Sequence, residues 1–371
     1  MIGVMMFAMA DGELPAALVD PDAPDADAQR ALAEYLLDRG IPVADLRAAR
    51  AAGSMAHFVA DAALWPDRSR VTVAELAERA GLDVELARRA RRMIGVADPG
   101  NDAMCHAAEV EFFSAFAAGV ALFGEELTVQ FARVIGTSAA AIAEAATNLF
   151  AGEVAAELAA RGATDAELGI TARDAMVAFE AVTAATDVAL RLQFEQAQTR
   201  LNGEITVDEL IYAVAFVDVV DSTVMAGELA GREVAAALRD FDRIVAEAAA
   251  QHDVRLVKLI GDGAMLAARD VEPLADAVIA AMDAVGDHRV LKAAKAGLTF
   301  GAVAAHDGDY FGQVVNLAAR ASTAAIAGEI LLSADAARAL PGRTEPAGGY
   351  DLKGFAEPVP LYRLKTGEEQ P

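Results

Sequence analysis

The sequence predicts two parts: an all-α region over residues 1–203, then an α+β region over 204–371 with a ferredoxin-like core. Two observations carry this. Up to about residue 203, apolar side chains recur at helical spacing in Ala- and Leu-rich stretches punctuated by Gly and Pro. From Glu204 the texture changes, and short β-branched apolar runs alternate with helical patterns in the order β-α-β-β-α-β.

The bulk numbers agree with two domains. The chain has 371 residues, and 55% of them are hydrophobic, although alanine accounts for much of that share. Its formal net charge is −25. So acidic a chain is not suited to nonspecific binding along nucleic acid or to anionic membrane surfaces, both of which select clustered cations. It can still bind an anionic nucleotide if metal ions bridge the two. The single cysteine, Cys105, excludes an intramolecular disulfide and fits a reducing compartment. In its helical, apolar setting it reads as a small core residue. The apolar start, Met1–Ala10, lacks a basic segment and is too short to span a bilayer. The run Phe112–Phe123 is followed at once by Glu125 and Glu126. No transmembrane helix and no export signal are expected, which points to the cytoplasm.

Residues 11–28 are rich in Pro and Asp and read as a lead-in. A helix follows from Gln29 to the Gly40 stop, and a second covers Val43–Ala52. Residues 71–97 have a helix-turn-helix outline, with Arg88, Arg89, Arg91 and Arg92 in the second helix. They form either a DNA recognition helix or a packing unit with a solvated basic face. Phe116, Val120, Phe123, Leu127, Phe131 and Val134 have the spacing of one helix face, which serves core packing, a dimer contact or an apolar ligand. Further helices are expected from Ser138 to Arg161 and from the T-A-R-D sequence at Thr171 to about Thr199.

In the second part, residues 211–220 read as a buried strand, followed by a helix from Thr223 to Gln251. Two strands, 254–260 and 264–268, meet across G-D-G. Then come a helix over Pro273–Val285, a strand over Ala296–Ala305 and a helix through N-L-A-A-R. The end alternates strands (E-I-L-L-S, Y-D-L-K, P-L-Y-R-L) with a helix near Ala336.

Asp218 falls at the end of the first strand and Asp262 in the G-D-G turn. An antiparallel arrangement brings the two together, where they can share one or two Mg²⁺ or Mn²⁺ ions; Val219 joins them in the metal-binding set. Each aspartate also has an ordinary reading, as a hairpin-turn residue or a strand-end cap. Ser222 and Thr223 stand where a helix begins, so their hydroxyls serve a phosphate or an N-cap.

The blocks F-V-D-V-V-D-S-T, K-L-I-G-D-G and D-Y-F-G-Q-V-V-N-L-A-A-R resemble the three motifs of class III nucleotidyl cyclase catalytic domains, over about residues 208–365. The resemblance implies that Asp218 and Asp262 bind two divalent metal ions and that Lys258 and Asp309 read adenine. It further implies that Asn316 orients the ribose and that Arg320 stabilises the transition state. The chemistry of the base agrees: Asp309 can accept from the adenine amino group and Lys258 can donate to ring N1, whereas guanine inverts that pattern. ATP is thus the expected substrate, with cyclic AMP and pyrophosphate as products. Lys353 matches a phosphate-contacting lysine of the family or is an exposed turn lysine. One departure is Asp221, where many members carry Gly. The family also implies a homodimer whose active sites lie at the subunit interface.

The N-terminal region resembles the autoinhibitory domain of acid-responsive bacterial cyclases. That resemblance implies regulation by pH or by a fatty-acid-like ligand, with His57, His106, His252, His288 and His306 available as titrating groups. The rival expectations are a catalytically silent cyclase-like sensor and a DNA-binding regulator that uses residues 71–97.

Overall fold

The computed structural model describes residues 18–55, 57–65, 67, 69–201, 210–220 and 231–365. The chain divides into two compact units, Met1–Gln196 and Ala197–Pro371.

The first unit contains α1 (Ala26–Asp38), α2 (Val43–Ala52), α3 (His57–Leu64), α4 (Val73–Ala80) and α5 (Val84–Met93). It continues with α6 (Val110–Phe123), α7 (Glu125–Ala160, with a π-helical segment at Phe150–Ala155) and α8 (Asp165–Leu201), whose last residues pass beyond Gln196. The strands described there are two residues each, β1 (Arg70–Val71) and β2 (Cys105–His106), paired antiparallel. Two cores hold it together. One gathers Leu18, Leu32, Leu36, Leu46 and Val59 around Ala166 at the start of α8. The other gathers Val73, Leu76, Ala87, Ala90, Phe113 and Phe116 around Cys105. Burial pushes the Cys105 thiol pKa up, which keeps it a neutral packing group.

Several expectations are corrected in this unit. The Phe116–Val134 stripe does not lie on one helix. Gly124, at φ +84°, ends α6 and starts α7, so the apolar side chains face one another across a bend. They line a cleft of about 660 Å³ with Phe112, Phe116, Phe123, Leu127, Phe131 and Phe194 on its walls. Helix α7 runs unbroken from Glu125 rather than starting at Ser138. Among the described residues it is the one helix long and apolar enough to cross a membrane, by length and composition alone. Helix α8 opens six residues before Thr171, because Thr164 and Glu167 bond to each other's main-chain N–H groups in a reciprocal cap.

The helix-turn-helix outline is present as α4 and α5, joined through Gly81 at φ +69°. The arginines of α5 are engaged by carboxylates. Arg88 donates to Asp98, Arg89 to Glu125 and Glu126, Arg92 to Asp98, and the buried Arg91 to Glu109. These ion pairs give α5 a packing role and offset the basic face that DNA recognition uses.

The second unit is built on an eight-stranded sheet. Its strands are β3 (Leu210–Val219), β4 (Arg255–Ile260), β5 (Gly263–Ala268), β6 (Ala294–His306), β7 (Asp309–Phe311), β8 (Ile330–Ser333), β9 (Thr344–Tyr350) and β10 (Val359–Leu364). The order is β4-β5-β3-β6-β8-β10-β9, with β7 paired to the end of β6. The first four strands have the order of a ferredoxin-like fold, with α9 (Gly231–Gln251) and α10 (Val271–Gly286) as the two crossover helices. Strand β6 runs parallel to β8, which extends the sheet beyond that core. Helices α11 (Gln313–Ala324) and α12 (Ala334–Arg338) complete the unit.

Alternation along β3 sorts its side chains. Ala213, Ala215, Val217 and Val219 pack with Phe241, Val245, Leu274 and Val278 under α9 and α10. Tyr212 and Val214 face the other side with Met265, Tyr310, Val315 and Ala318. Helix α11 lies on that second face because Gly297 of β6 permits it. A β-carbon there would collide with the Ala318 carbonyl and the Ser322 amide. The last expected strands shift: Tyr350 ends β9, while Asp351, Leu352 and Lys353 follow it as coil and turn.

Candidate active site

Asp218 stands one residue before the end of β3, the strand flanked by β5 and β6. By alternation it faces the α11 side with Tyr212 and Val214. It pairs in register with Gly263 on one side and Lys295 on the other. Asp262 sits in the tight turn between β4 and β5, and its carbonyl accepts the Val219 N–H at 3.0 Å. The sequence expectation of two carboxylates at a strand end and the adjoining hairpin is therefore met by the backbone.

Two features fix the Asp218 carboxylate. Ser322 Oγ of α11 donates to Oδ2. Gly263 leaves the space that Oδ1 occupies, which a β-carbon would fill. Burial raises the pKa above the usual carboxylate range. The Ser322 hydrogen bond opposes that rise, the Asp262 charge adds to it, and Lys295 opposes it. Ser322, Gly263 and Lys295 were not read from the sequence as site residues. Ser322 comes from 104 residues along the chain, and nothing in its own neighbourhood marks it.

The donor set suits a hard divalent cation. Asp218 and Asp262 offer carboxylate oxygens, Val219 offers only its main-chain carbonyl, and a cation between the aspartates offsets their repulsion. Among the described residues no group of three or more His, Cys, Asp or Glu side chains is placed to hold a metal. A cation held here would need its remaining oxygens from outside this pair of carboxylates.

Lys258 and Asp309 meet within the chain. Lys258 Nζ donates to Asp309 Oδ2, and Oδ1 accepts the Tyr310 N–H at 2.8 Å. Asp309 is held in place because Asp307 and Gly308, at φ +55° and +77°, turn the chain from β6 into β7. Asn316 and Arg320 are exposed, four residues apart on α11, and so share a face. Lys353 is exposed in the turn after β9. Ser222, Thr223 and Asp221 lie outside the described residues.

Comparison with known proteins follows the same division of the chain. Residues 16–180 match the family described as the adenylate cyclase regulatory domain. An uncharacterized protein of Mycobacterium tuberculosis is 32% identical over 90% of this chain and 89% of its own length. The pH-sensitive adenylate cyclase of Mycobacterium tuberculosis is 30% identical over 92% of this chain and 89% of its own length. The crystal structure of the adenylyl cyclase CyaB from P. aeruginosa aligns at 22% identity over 44% of this chain and 97% of its own, with a TM-score of 0.39. With full-length relatives at this level of identity, the chain belongs to the class III nucleotidyl cyclase family, in the group that carries an adenylate cyclase regulatory domain ahead of the catalytic part.

Proposed function

We propose that the chain is an adenylate cyclase that converts ATP to 3′,5′-cyclic AMP and pyrophosphate, as a cytoplasmic homodimer with sites at the subunit interface. The observation that carries the choice of ATP is the Lys258–Asp309 pair. A carboxylate that accepts and an ammonium that donates match the N6 amino group and N1 of adenine, and mismatch guanine. Asp218, Val219 and Asp262 would hold the two Mg²⁺ or Mn²⁺ ions. When bound, these lower the pKa of the ribose 3′-hydroxyl and offset triphosphate charge. Asn316 orients the ribose for attack on the α-phosphorus. Arg320, one helical turn away, donates to the α-phosphate oxygens as negative charge builds on them. Lys353, Ser222 and Thr223 complete the phosphate contacts. In the dimer, Asp218 and Asp262 of one protomer work with Lys258, Asp309, Asn316 and Arg320 of its partner.

The first unit regulates the second, with pH or a fatty-acid-like molecule in the α6–α7 cleft as the signal. The aromatic, nearly unbroken apolar lining of that cleft supports a lipid over a polar effector.

The test uses the full-length protein with Mn²⁺, assayed with ATP and with GTP between acid and neutral pH. Cyclic AMP is the expected main product. Turnover of GTP equal to that of ATP, or no turnover of either at any pH, overturns the assignment. Mixing an Asp218→Ala chain with a Lys258→Ala chain restores activity to part of the population if the site is shared. No recovery in verified heterodimers sinks the shared site.

A further inference from the structure

Arg255 opens β4, three residues before Lys258. In a regular strand, residues three apart face opposite sides of the sheet. Here a β-bulge between Leu256 and Lys258 inserts one residue, so that Arg255 pairs with Ala267 and Lys258 with Met265. Ala267 and Met265 are two apart on β5 and belong to one cluster with Tyr212 and Tyr310. The bulge thus turns Arg255 and Lys258 to the same face.

The Arg255 guanidinium then reaches the β6–β7 turn. One nitrogen donates to Tyr310 Oη at 3.1 Å and another to the Gly308 carbonyl. Its carbon lies 5.3 Å from the centroid of the Tyr310 ring. The Tyr310 ring packs in turn on Tyr212 of β3, with centroids 4.9 Å apart. The two acceptors flank Asp309 on either side in sequence. We infer that Arg255 is a positioning residue for base selection, clamping the Asp307–Tyr310 turn to β4 so that the Asp309 carboxylate is presented beside Lys258. The inference rests on the assignment of Lys258 and Asp309 as the base-reading pair. Its physical reason is the rigid fork of arginine, which spans two acceptors at once, whereas lysine supplies one point of attachment. Asp309 follows two residues of positive φ in a short hairpin, so its side chain depends on what holds that turn.

The test compares full-length Arg255→Gln, Arg255→Lys, Tyr310→Phe, Lys258→Ala and Asp309→Ala proteins. Each is assayed with ATP and with GTP as competing substrates in Mn²⁺, and its thermal unfolding is recorded. Arg255→Gln is expected to lower the ATP-over-GTP ratio of kcat/KM by about tenfold, mainly through KM for ATP. Arg255→Lys recovers part of that loss. Tyr310→Phe removes one acceptor, keeps the ring and shifts the ratio less, and it carries the test if Arg255→Gln does not fold. If Lys258→Ala and Asp309→Ala change the ratio while Arg255→Gln and Tyr310→Phe do not, the positioning role is overturned and the base-reading assignment stands. An equal fall in kcat for both nucleotides at an unchanged ratio overturns it too, as a purely structural effect. If Lys258→Ala and Asp309→Ala leave the ratio unchanged, the base-reading assignment fails, and the role of Arg255 with it.

Discussion

Gly263 and Asp218 face each other across β5 and β3, and the Asp218 carboxylate fills the volume that a β-carbon on Gly263 would need. The glycine of the G-D-G turn therefore does more than close a hairpin. It makes room for a charged group on an inner strand. Gly263→Ala is expected to displace the carboxylate, with a stability cost of about 1–3 kcal/mol typical of overpacking. The apparent Mn²⁺ constant for activity should rise while the protein still unfolds cooperatively. A wild-type Mn²⁺ titration curve would remove this role from Gly263.

Burial holds Asp218 above the usual carboxylate range, with the Ser322 bond opposing, Asp262 adding and Lys295 opposing. The folded protein therefore binds this proton more tightly than the unfolded chain does. The metal-free protein loses stability as pH rises from the ordinary carboxylate range through the raised pKa, and keeps it below. Asp218→Asn removes the titration. At neutral pH the variant should melt higher than the metal-free wild type, and it should have no activity. Melting curves across that pH range check the sign, and a variant that melts lower contradicts it.

Ser322 favours the charged form of Asp218 by donating to it. Ser322→Ala should raise the Asp218 pKa further and move the acidic limb of the kcat/KM profile toward higher pH. The optimum at neutral pH should suffer less than the acid side. A uniform loss at every pH would mean that Ser322 acts only by packing.

Gly297 sets how closely α11 approaches β6. That helix carries Asn316, Arg320 and Ser322, so its depth decides where these three side chains stand. Gly297→Ala is expected to cost about 1–3 kcal/mol, as an overpacked core does. It should also lower kcat more than it raises KM for ATP. Unfolding midpoints and steady-state kinetics on the same preparation separate the two effects.

Much of the second unit was legible locally. The order of elements, Asp218 at a strand end, Asp262 in a D-G turn and the Asn316–Arg320 spacing each follow from a window of a few residues. The first unit was less legible where one residue decides a direction. The aromatic spacing from Phe116 to Val134 suits a single helix, but Gly124 at positive φ folds it into a cleft. The arginines of α5 read as a basic face until the carboxylates of neighbouring segments are placed against them.

The sequence by itself determined the two-part division, the ferredoxin-like order and the residue types at the site, because periodicity and turn chemistry are local properties. Only the tertiary structure decided that Ser322 reaches Asp218, that Gly263 makes space for it and that Lys258 meets Asp309 across 51 residues. It alone placed Arg255 on the face of Lys258, through a bulge in β4. These relationships arise from strand register and from the depth at which α11 packs, and both are set by pairing between segments far apart in the chain.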